Sequence, residues 1–476
     1  MKRVKILYGT GFLFFISLAA CKVPSVVQQP DLKPVPVNYN NNTDTINSAN
    51  TKWKDFFADS NLVALIDTAL NNNLDLLTTL QEIEVAKNNV HMRNGQLFPN
   101  ISGVAALGIE KTGRYTASGA GNASTEITPG KLVPEPIGDI FLGFRASWEA
   151  DIWSKLHNSK KAALSRYLKT VDGRNYVITS LVAEIANAYY ELLALDNQLE
   201  IIRETIQLQK NELDIVKVQK QAAVVTELAV KQFEAQVYNS QGLEFDVRQR
   251  ITENENRINF LLARFPQKIN RDTTLFTSMI PMRINAGLPS QLLENRPDIR
   301  QAEWELEAAK LDVKVARAEF YPSLGFTGYL GFQAFKTKYL FTSLESMAFS
   351  LVGELAAPLI NKSAIKAEFN KANSYQLEAL YDYQKSILNG YVEVSNEMSN
   401  IRNLEQLYQV KSNEVEALSK SIEVARDLFR SARANYLEVL IAQRDALSAK
   451  LELVEARKRQ FNSVTNIYEA LGGGWK

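Results

Sequence analysis

The stretch SNIRNLEQLYQVKSNEVEALSKSIEVARDLFRSARANY, from Ser399 to Tyr436, decides the fold of this chain. Its apolar side chains recur alternately three and four residues apart, which is the heptad pattern of a coiled coil. The residues between Gly390 and Gly472 include neither Gly nor Pro, so the whole region favours long helices. A single helix cannot bury such a seam, and we therefore expect several helices to pack together. The seam consists of Ile401, Leu404, Tyr408, Lys411, Val415, Leu418, Ile422, Ala425, Phe429, Ala432 and Tyr436, with Lys411 as its one interruption.

A second seam with the same spacing lies earlier in the chain. Leu213 aligns with Ile422 at an offset of 209 residues, and a different offset of 223 pairs Asn72 with Asn295 and Pro99 with Pro322. The chain is therefore an internal duplication, in which the first copy carries an insertion of about 14 residues. The earlier seam consists of Leu181, Ile185, Ala188, Leu192, Leu195, Leu199, Ile202, Ile206, Gln209, Leu213 and Val216.

Composition argues against several classes of function. The 476 residues have a formal net charge of +1 with both signs interspersed, so we expect no nucleic-acid partner. Two His and one Cys leave little material for a metal site or a nucleophile, and pairs such as Glu303 and Glu307 fit a solvated helix face. We therefore expect that the protein binds neither a cofactor nor a metal and that it is not an enzyme.

The first residues fit a lipoprotein signal peptide. Basic residues precede an apolar run that is too short for a comfortable membrane span, and residues 1–20 end in small side chains just before Cys21. Leu18 to Cys21 resembles a bacterial lipobox, which makes Cys21 the predicted site of lipidation. Residues 21–52 are rich in Pro and Asn and are predicted to be an extended tether.

After a helical region that begins near Trp53 and ends near Leu97, the apolar period changes from helical to alternating. From Ile140 to Trp148, apolar residues alternate with a largely polar set that includes Arg145, which predicts a strand with one apolar and one polar face. Strands are predicted at about 100–109 and 140–150, separated by a polar loop, and again at about 323–333 and 347–357. The helix before the second strand pair is predicted from about Gln291 to Glu319. The resulting layout is a first repeat at 53–265 with a long helical hairpin at about 154–265, a linker at 266–288, and a second repeat at 289–476 with a hairpin at about 362–472.

Strands of about ten residues are long enough to cross a bilayer when tilted. An open sheet in lipid leaves backbone groups at its edges unpaired, and four strands are too few to close a barrel. Several copies must therefore associate, which gives 8, 12 or 16 strands for two, three or four copies. Because long loops of outer-membrane barrels lie outside the cell, the helices are predicted to project into the periplasm.

Four segments resemble the TolC-like outer-membrane efflux family, in its lipoprotein branch that serves resistance-nodulation-division pumps. The segments are LLENRPDIRQAEWELEAAKLDVKVARAEFYPSL (Leu292 to Leu324), WEADIWSKL (Trp148 to Leu156), NYLEVLIAQ (Asn435 to Gln443) and ALGGGW (Ala470 to Trp475). The resemblance implies an α+β membrane protein in which four transmembrane strands per chain form a trimeric 12-stranded barrel, continuous with a periplasmic helical barrel. It also implies a passive duct in the outer membrane that exports small toxic compounds, with a periplasmic adaptor and an inner-membrane pump as partners.

The same resemblance implies an aperture in the segment from Leu437 to Ala442. Glu438 falls on an acidic position of the family, whereas Ile441 replaces a usual Asp. We expect Leu437 and Ile441 to close the bore by packing and Glu438 to form a polar ring, although Glu438 also fits an ordinary solvent-facing position. The Gly that the family has near each helix turn is replaced here by Ala223 and Ala432.

Three alternatives stay open at this stage. The same fold could export proteins in a type I secretion system. A coiled-coil envelope scaffold without a pore would explain the heptads but not the alternating strands. A lipid-anchored enzyme is the third alternative, and no group of residues supports it.

Overall fold

A computed structural model describes residues 25–27, 30, 33–39, 45–273, 276, 284–342, 344–360, 362–431 and 433–476. The predicted signal peptide at 1–20 and Cys21 lie outside these residues. The described helices are α1 (Trp53–Phe56), α2 (Ser60–Asn72), α3 (Leu74–Gly95), α4 (Ala117–Ser124), α5 (Lys155–Gln221), α6 (Glu227–Leu261), α7 (Leu292–Asn295), α8 (Pro297–Ala318), α9 (Ser363–Arg430) and α10 (Tyr436–Ala470). The strands are β1 (Asn100–Glu110), β2 (Glu126–Thr128), β3 (Lys131–Leu132), β4 (Ile137–Ala150), β5 (Ser323–Ala334) and β6 (Met347–Ala356).

Four long strands form one antiparallel sheet in the order β1-β4-β5-β6. The first hairpin is β1 with β4 and the second is β5 with β6, so each repeat contributes one hairpin and the two hairpins pair through β4 and β5. This arrangement leaves one side of β1 and one side of β6 without a partner strand within the described chain.

The chain divides into two compact units, each of which takes residues from both repeats. The sheet unit includes 84–167 and 304–380, and its buried cluster contains Val313, Phe320 and Phe369. The helical unit includes 168–303 and 381–476 together with 31–83. Its largest buried clusters are formed by apolar side chains of α2, α5, α6 and α10.

The first heptad seam is buried as the spacing predicts. Ten of its eleven residues are buried, and Leu199 packs against the same clusters from a partly buried position. In the second seam only Leu404 and Ala425 are buried among the described residues, and the other described members are partly exposed. Lys411, the interruption in this seam, forms ion pairs with Glu414 at 2.7 Å and Glu452 at 2.6 Å. The half-exposed second seam has the character of a surface that contacts another molecule.

Three details differ from the sequence prediction. The loop predicted between Glu110 and Asp139 contains helix α4 and the small β2–β3 hairpin, and β4 begins at Ile137. The Gly- and Ala-rich sequence of α4 has no apolar period that could have indicated a helix. The helix predicted from Gln291 to Glu319 is divided at Arg296, which has an extended conformation because Pro297 follows it.

The segment predicted to be a tether also makes contacts with the helical unit. Tyr39 is fully buried and its ring stacks on Tyr391 at 5.2 Å between centroids. Ala49 is fully buried within a short 3-10 turn, and Asn47 forms a β-bridge with Ala286.

Among the described residues, no helix has a stretch both long and apolar enough to cross a membrane.

Candidate functional site: a two-faced sheet and an exposed helix tip

The strand register sorts the side chains of the four-stranded sheet onto two chemically different faces. Leu142 lies opposite Phe332, Phe144 lies opposite Leu330, and Leu330 lies opposite Phe349. Because side chains alternate along a strand, every second residue shares this face. The apolar face consists of Ile101, Gly103, Ala105, Leu107, Ile109, Ile140, Leu142, Phe144, Ala146, Trp148, Ala150, Leu324, Phe326, Gly328, Leu330, Phe332, Ala334, Met347, Phe349, Leu351, Gly353 and Leu355.

The opposite face, here called the polar face, carries the polar side chains of the strands. Its polar members include Asn100, Ser102, Asp139, Arg145, Ser147, Glu149, Thr327, Tyr329, Gln333, Ser350 and Glu354. The sequence predicted this division for β4, and the register extends it to the whole sheet. A sheet in water would instead bury its apolar face against a core.

The apolar face is exposed in the single chain. Leu107, Phe349 and Leu351 expose 84%, 73% and 80% of their side-chain surface. A continuous apolar surface of this size marks a membrane or protein contact. From Ile140 to Ala150 the strand rises about 33 Å at 3.3 Å per residue. At a tilt of about 40° it therefore spans about 25 Å, which matches the apolar band of outer-membrane barrels.

Aromatic rings lie at the strand ends that join the helices. Trp148 stacks on Phe326 at 5.7 Å, and its indole Nε1 donates a hydrogen bond to the Leu97 carbonyl at 3.0 Å. Trp153 stacks on Tyr321 at 4.6 Å between centroids. Rings with one apolar face and one polar atom are enriched where a membrane meets water. These residues therefore lie where an aromatic girdle at a membrane–water interface is expected.

The outer sides of β1 and β6 carry backbone groups that no strand of the described chain pairs. In lipid, each unpaired N–H or C=O group costs several kcal/mol, because no water is present to bond it. Residues 100–110 and 347–356 would leave a row of such groups. Insertion of this sheet into a membrane therefore requires strands from other chains.

The predicted aperture residues lie at the start of α10 on an exposed surface. Leu437 and Ile441, one turn apart, expose 41% and 49% of their surface, and Glu438 is also exposed. The Glu438 side chain accepts a hydrogen bond from the Asn435 N–H at 3.2 Å, and the Asn435 side chain accepts one from the Leu437 N–H at 2.8 Å. This capping box fixes the helix start, so Glu438 has a structural role that the sequence analysis did not anticipate.

The corresponding turn of the first repeat is built differently. Ala229, which aligns with Glu438 at the 209 offset, is fully buried. The nearby Glu227 pairs with Lys220 at 2.9 Å, and this hydrogen bond lowers the pKa of the Glu227 carboxyl. Ala223 in the turn adopts a positive φ of 56°, a conformation that Gly adopts without steric cost. The corresponding Ala432 lies outside the described residues. An exposed acidic group at this position is thus a property of the second repeat.

Two of the sequence motifs contact each other in the helical unit. The Arg296 guanidinium is almost fully buried and donates hydrogen bonds to Asp298, to Glu393 and to the Ala470 carbonyl, the last at 2.9 Å. Trp475 donates its Nε1–H to the Asn295 carbonyl at 3.0 Å. The segment RPDI (Arg296 to Ile299) therefore holds the C-terminal end of α10, although it lies far from α10 in the sequence.

Glycines provide the space for this junction. A Cβ at Gly390, within α9, would lie only 3.1 Å from the Arg296 Cδ and Nε atoms. A Cβ at Gly472, whose φ is +84°, would lie 2.4 Å from the Asn295 carbonyl oxygen. Beside the junction, burial raises the pKa of the Glu469 carboxyl and the neighbouring Glu393 adds to the shift, whereas a hydrogen bond from Ser180 opposes it. No local pattern in the sequence indicates these long-range contacts.

The composition made the histidines poor candidates for a metal site. His157 contacts Asp151 at 2.5 Å, and the same carboxylate also accepts two backbone N–H groups at the start of α5. Within the part of the chain that the structure describes, no group of three His, Cys, Asp or Glu residues could hold a metal ion.

Comparison with known proteins gives consistent matches over nearly the whole chain. The family described as outer membrane efflux protein matches residues 65–264 and 288–473. The cation efflux system protein CusC of Escherichia coli O6:H1 is 26% identical over 474 residues, which is 98% of both chains. The solvent efflux pump outer membrane protein SrpC of Pseudomonas putida is 28% identical over 438 residues, 90% of this chain and 89% of SrpC. A crystal structure of a membrane protein from Pseudomonas aeruginosa has the same fold, with a TM-score of 0.85 at 22% identity and coverage of 94% and 99%.

Proposed function

Because this chain belongs to the outer membrane efflux protein family, we propose that it is the outer-membrane channel of a tripartite efflux system, a passive duct for small toxic compounds. The two-faced sheet with two free edges is the observation that carries this proposal. Its apolar face suits lipid, its polar face suits a water-filled bore, and its free edges require other copies.

We propose that three copies form the assembly, the number that the resemblance to the TolC-like family implies. They would pair β6 of one chain with β1 of the next and so close a barrel of twelve strands. The half-exposed second seam, together with the exposed Val410 and Val424 on the same helix, would then pack helices of neighbouring copies in the periplasm. We also propose that Cys21 carries a lipid anchor, which adds to the hold of the barrel on the outer membrane.

The partners follow from the passive nature of a duct. A passive duct has no energy source of its own, so we propose that a pump supplies the energy. We propose a resistance-nodulation-division transporter in the inner membrane and a periplasmic adaptor that joins it to the helix turns. The two relatives are named for different cargoes, cations and solvents. Choice of cargo is therefore assigned to the pump, with this chain as the shared exit.

Recordings from planar lipid bilayers test the channel directly. The purified full chain should produce discrete conductance steps of uniform size when it inserts into a bilayer. A scaffold without a pore would produce none, even when the protein is associated with the membrane. Complete absence of steps from membrane-inserted protein would therefore contradict the proposed function.

The same recordings test the aperture, for which we propose Leu437, Glu438 and Ile441. Ile441→Asp would add a second carboxylate one turn from Glu438, and a double acidic ring in a narrow bore binds cations more strongly. We expect block by a divalent or trivalent cation at about tenfold lower concentration, which corresponds to about 1.4 kcal/mol.

Glu438→Gln gives the opposite change without disturbing the helix start. Gln accepts the same capping hydrogen bond, so the capping box persists while the negative charge is lost. Cation block should weaken by about the same factor. Glu423→Gln, an exposed glutamate of α9, is the matched control and should behave as the unmodified protein does. If cations block the unmodified protein and all three variants at the same concentration, the aperture does not lie at Glu438 and Ile441.

A further inference from the structure

The polar face of the sheet holds one arginine at mid-height, Arg145 on β4. Its cross-strand neighbours are Ser102 on β1 and Tyr329 on β5, and Tyr329 in turn faces Ser350 on β6. One row of four polar side chains therefore crosses the sheet. These side chains, with Asn100, Ser147 and Thr327 beside them, line a hollow of about 430 Å³.

Arg145 is held in place by an aromatic pair. Its guanidinium carbon lies 5.6 Å from the centroid of the buried Phe141 ring, and that ring packs edge to face on Tyr329, also at 5.6 Å. The residues between these side chains on the same face are Gly143 and its partner Gly331. A Cβ at Gly331 would lie 3.0 Å from the Phe141 ring, so the missing side chains leave the space in which Phe141 and Arg145 meet.

No acidic group in the described chain pairs with Arg145, which lies within 4.0 Å of no carboxylate oxygen there. The acidic residues of the polar face lie toward the strand ends. Asp139 is six residues away, about 20 Å, and Glu149 is four residues away, about 13 Å, at 3.3 Å per residue. Both distances exceed the screening length of about 10 Å in 0.1 M salt. Glu149 is also paired with Lys155 at 2.5 Å.

The geometry points to an anion-binding subsite at Arg145, which takes organic anions with a carboxylate and an aromatic ring as they pass along the bore. The guanidinium offers two parallel N–H groups to a carboxylate, the hydroxyl groups of the polar row add further donors, and Tyr329 offers a face for stacking. The inference rests on the proposed function, because the polar face lines a bore only in the closed barrel.

Block of the conductance by benzene-1,3,5-tricarboxylate in 0.1 M KCl tests this subsite. We expect the blocking concentration to rise about tenfold in Arg145→Gln, because a charge-assisted pair is lost at an exposed site. Arg145→Lys keeps the charge but loses the planar fork, so its block should be intermediate. Arg114→Gln, which removes the same charge from the first hairpin loop, is the matched control. Its conductance should be blocked at the same concentration as that of the unmodified protein.

The outcomes separate this subsite from the channel itself. Equal block in the unmodified protein and in Arg145→Gln would overturn the subsite, provided that both show normal conductance. Equal weakening in Arg114→Gln and Arg145→Gln would also overturn it, because a general field at the mouth would then explain the block. A membrane-inserted protein without any conductance would overturn the proposed function, and this subsite with it.

Discussion

Leu351→Arg is expected to prevent stable insertion of the barrel. Leu351 lies at the middle of β6 on the apolar face and exposes 80% of its surface in the single chain. An arginine that faces lipid near the bilayer midplane costs about 2–4 kcal/mol. That cost lowers the insertion equilibrium of each copy about 30- to 900-fold. Because we propose that three copies insert together, the variant should fail to enter lipid vesicles from a denaturant solution.

Val352→Arg is the matched control for this experiment. Val352 is the next residue of the same strand and lies on the polar face, opposite Thr327. Its arginine would extend into the proposed water-filled bore and cost much less than 2 kcal/mol. We expect Val352→Arg to insert at nearly the unmodified yield. If both variants lose insertion to a similar extent, the two faces of the sheet are not in different environments, one in lipid and the other in water.

Arg296→Met should give the second largest effect, on the stability of the helical unit. Methionine fills a similar volume but has no N–H groups, so the Ala470 carbonyl and the Asp298 carboxylate lose their donor. Removal of one partner from a buried ion pair costs about 3–5 kcal/mol. We expect about 3 kcal/mol, at the lower end, because Glu393 is half exposed and can be hydrated. Unfolding in urea, followed by the helical circular dichroism signal, should occur at clearly lower denaturant concentration.

Two further variants separate the junction from a general effect of lost charge. Arg203→Met removes an exposed pair with Glu244, which contributes about 0–1 kcal/mol. Arg296→Lys keeps the charge but cannot form the fork to Asp298, so its stability should be intermediate. If Arg203→Met and Arg296→Met unfold at the same urea concentration, Arg296 does not hold the two motifs together.

The periodic elements could be predicted from the sequence because their signals are local. The three-four spacing from Leu181 to Val216 located a seam that is buried in the structure. The alternation from Ile140 to Trp148 located β4 and its two faces. In the second seam, exposure of several members has a physical reason, since a single chain cannot cover a surface that other copies are proposed to cover.

The remaining features depend on contacts that spacing does not reveal. Arg296 meets Ala470 across 174 residues, and neither segment has a period that points to the other. The capping role of Glu438 depends on the backbone geometry at Asn435. Arg145 appeared as one of several polar residues in β4, and only the pairing with β1 and β5 shows that it lies alone in a row of hydroxyl groups.

Electron cryomicroscopy of the purified full chain in lipid nanodiscs tests the central claim most directly, because it shows which strands pair at the two free edges. We expect three copies around one bore, with β6 of each chain hydrogen-bonded to β1 of the next and with Leu351 facing lipid. A membrane-inserted single copy whose β1 and β6 edges have no partner, or a closed barrel whose polar face meets the lipid, would contradict it.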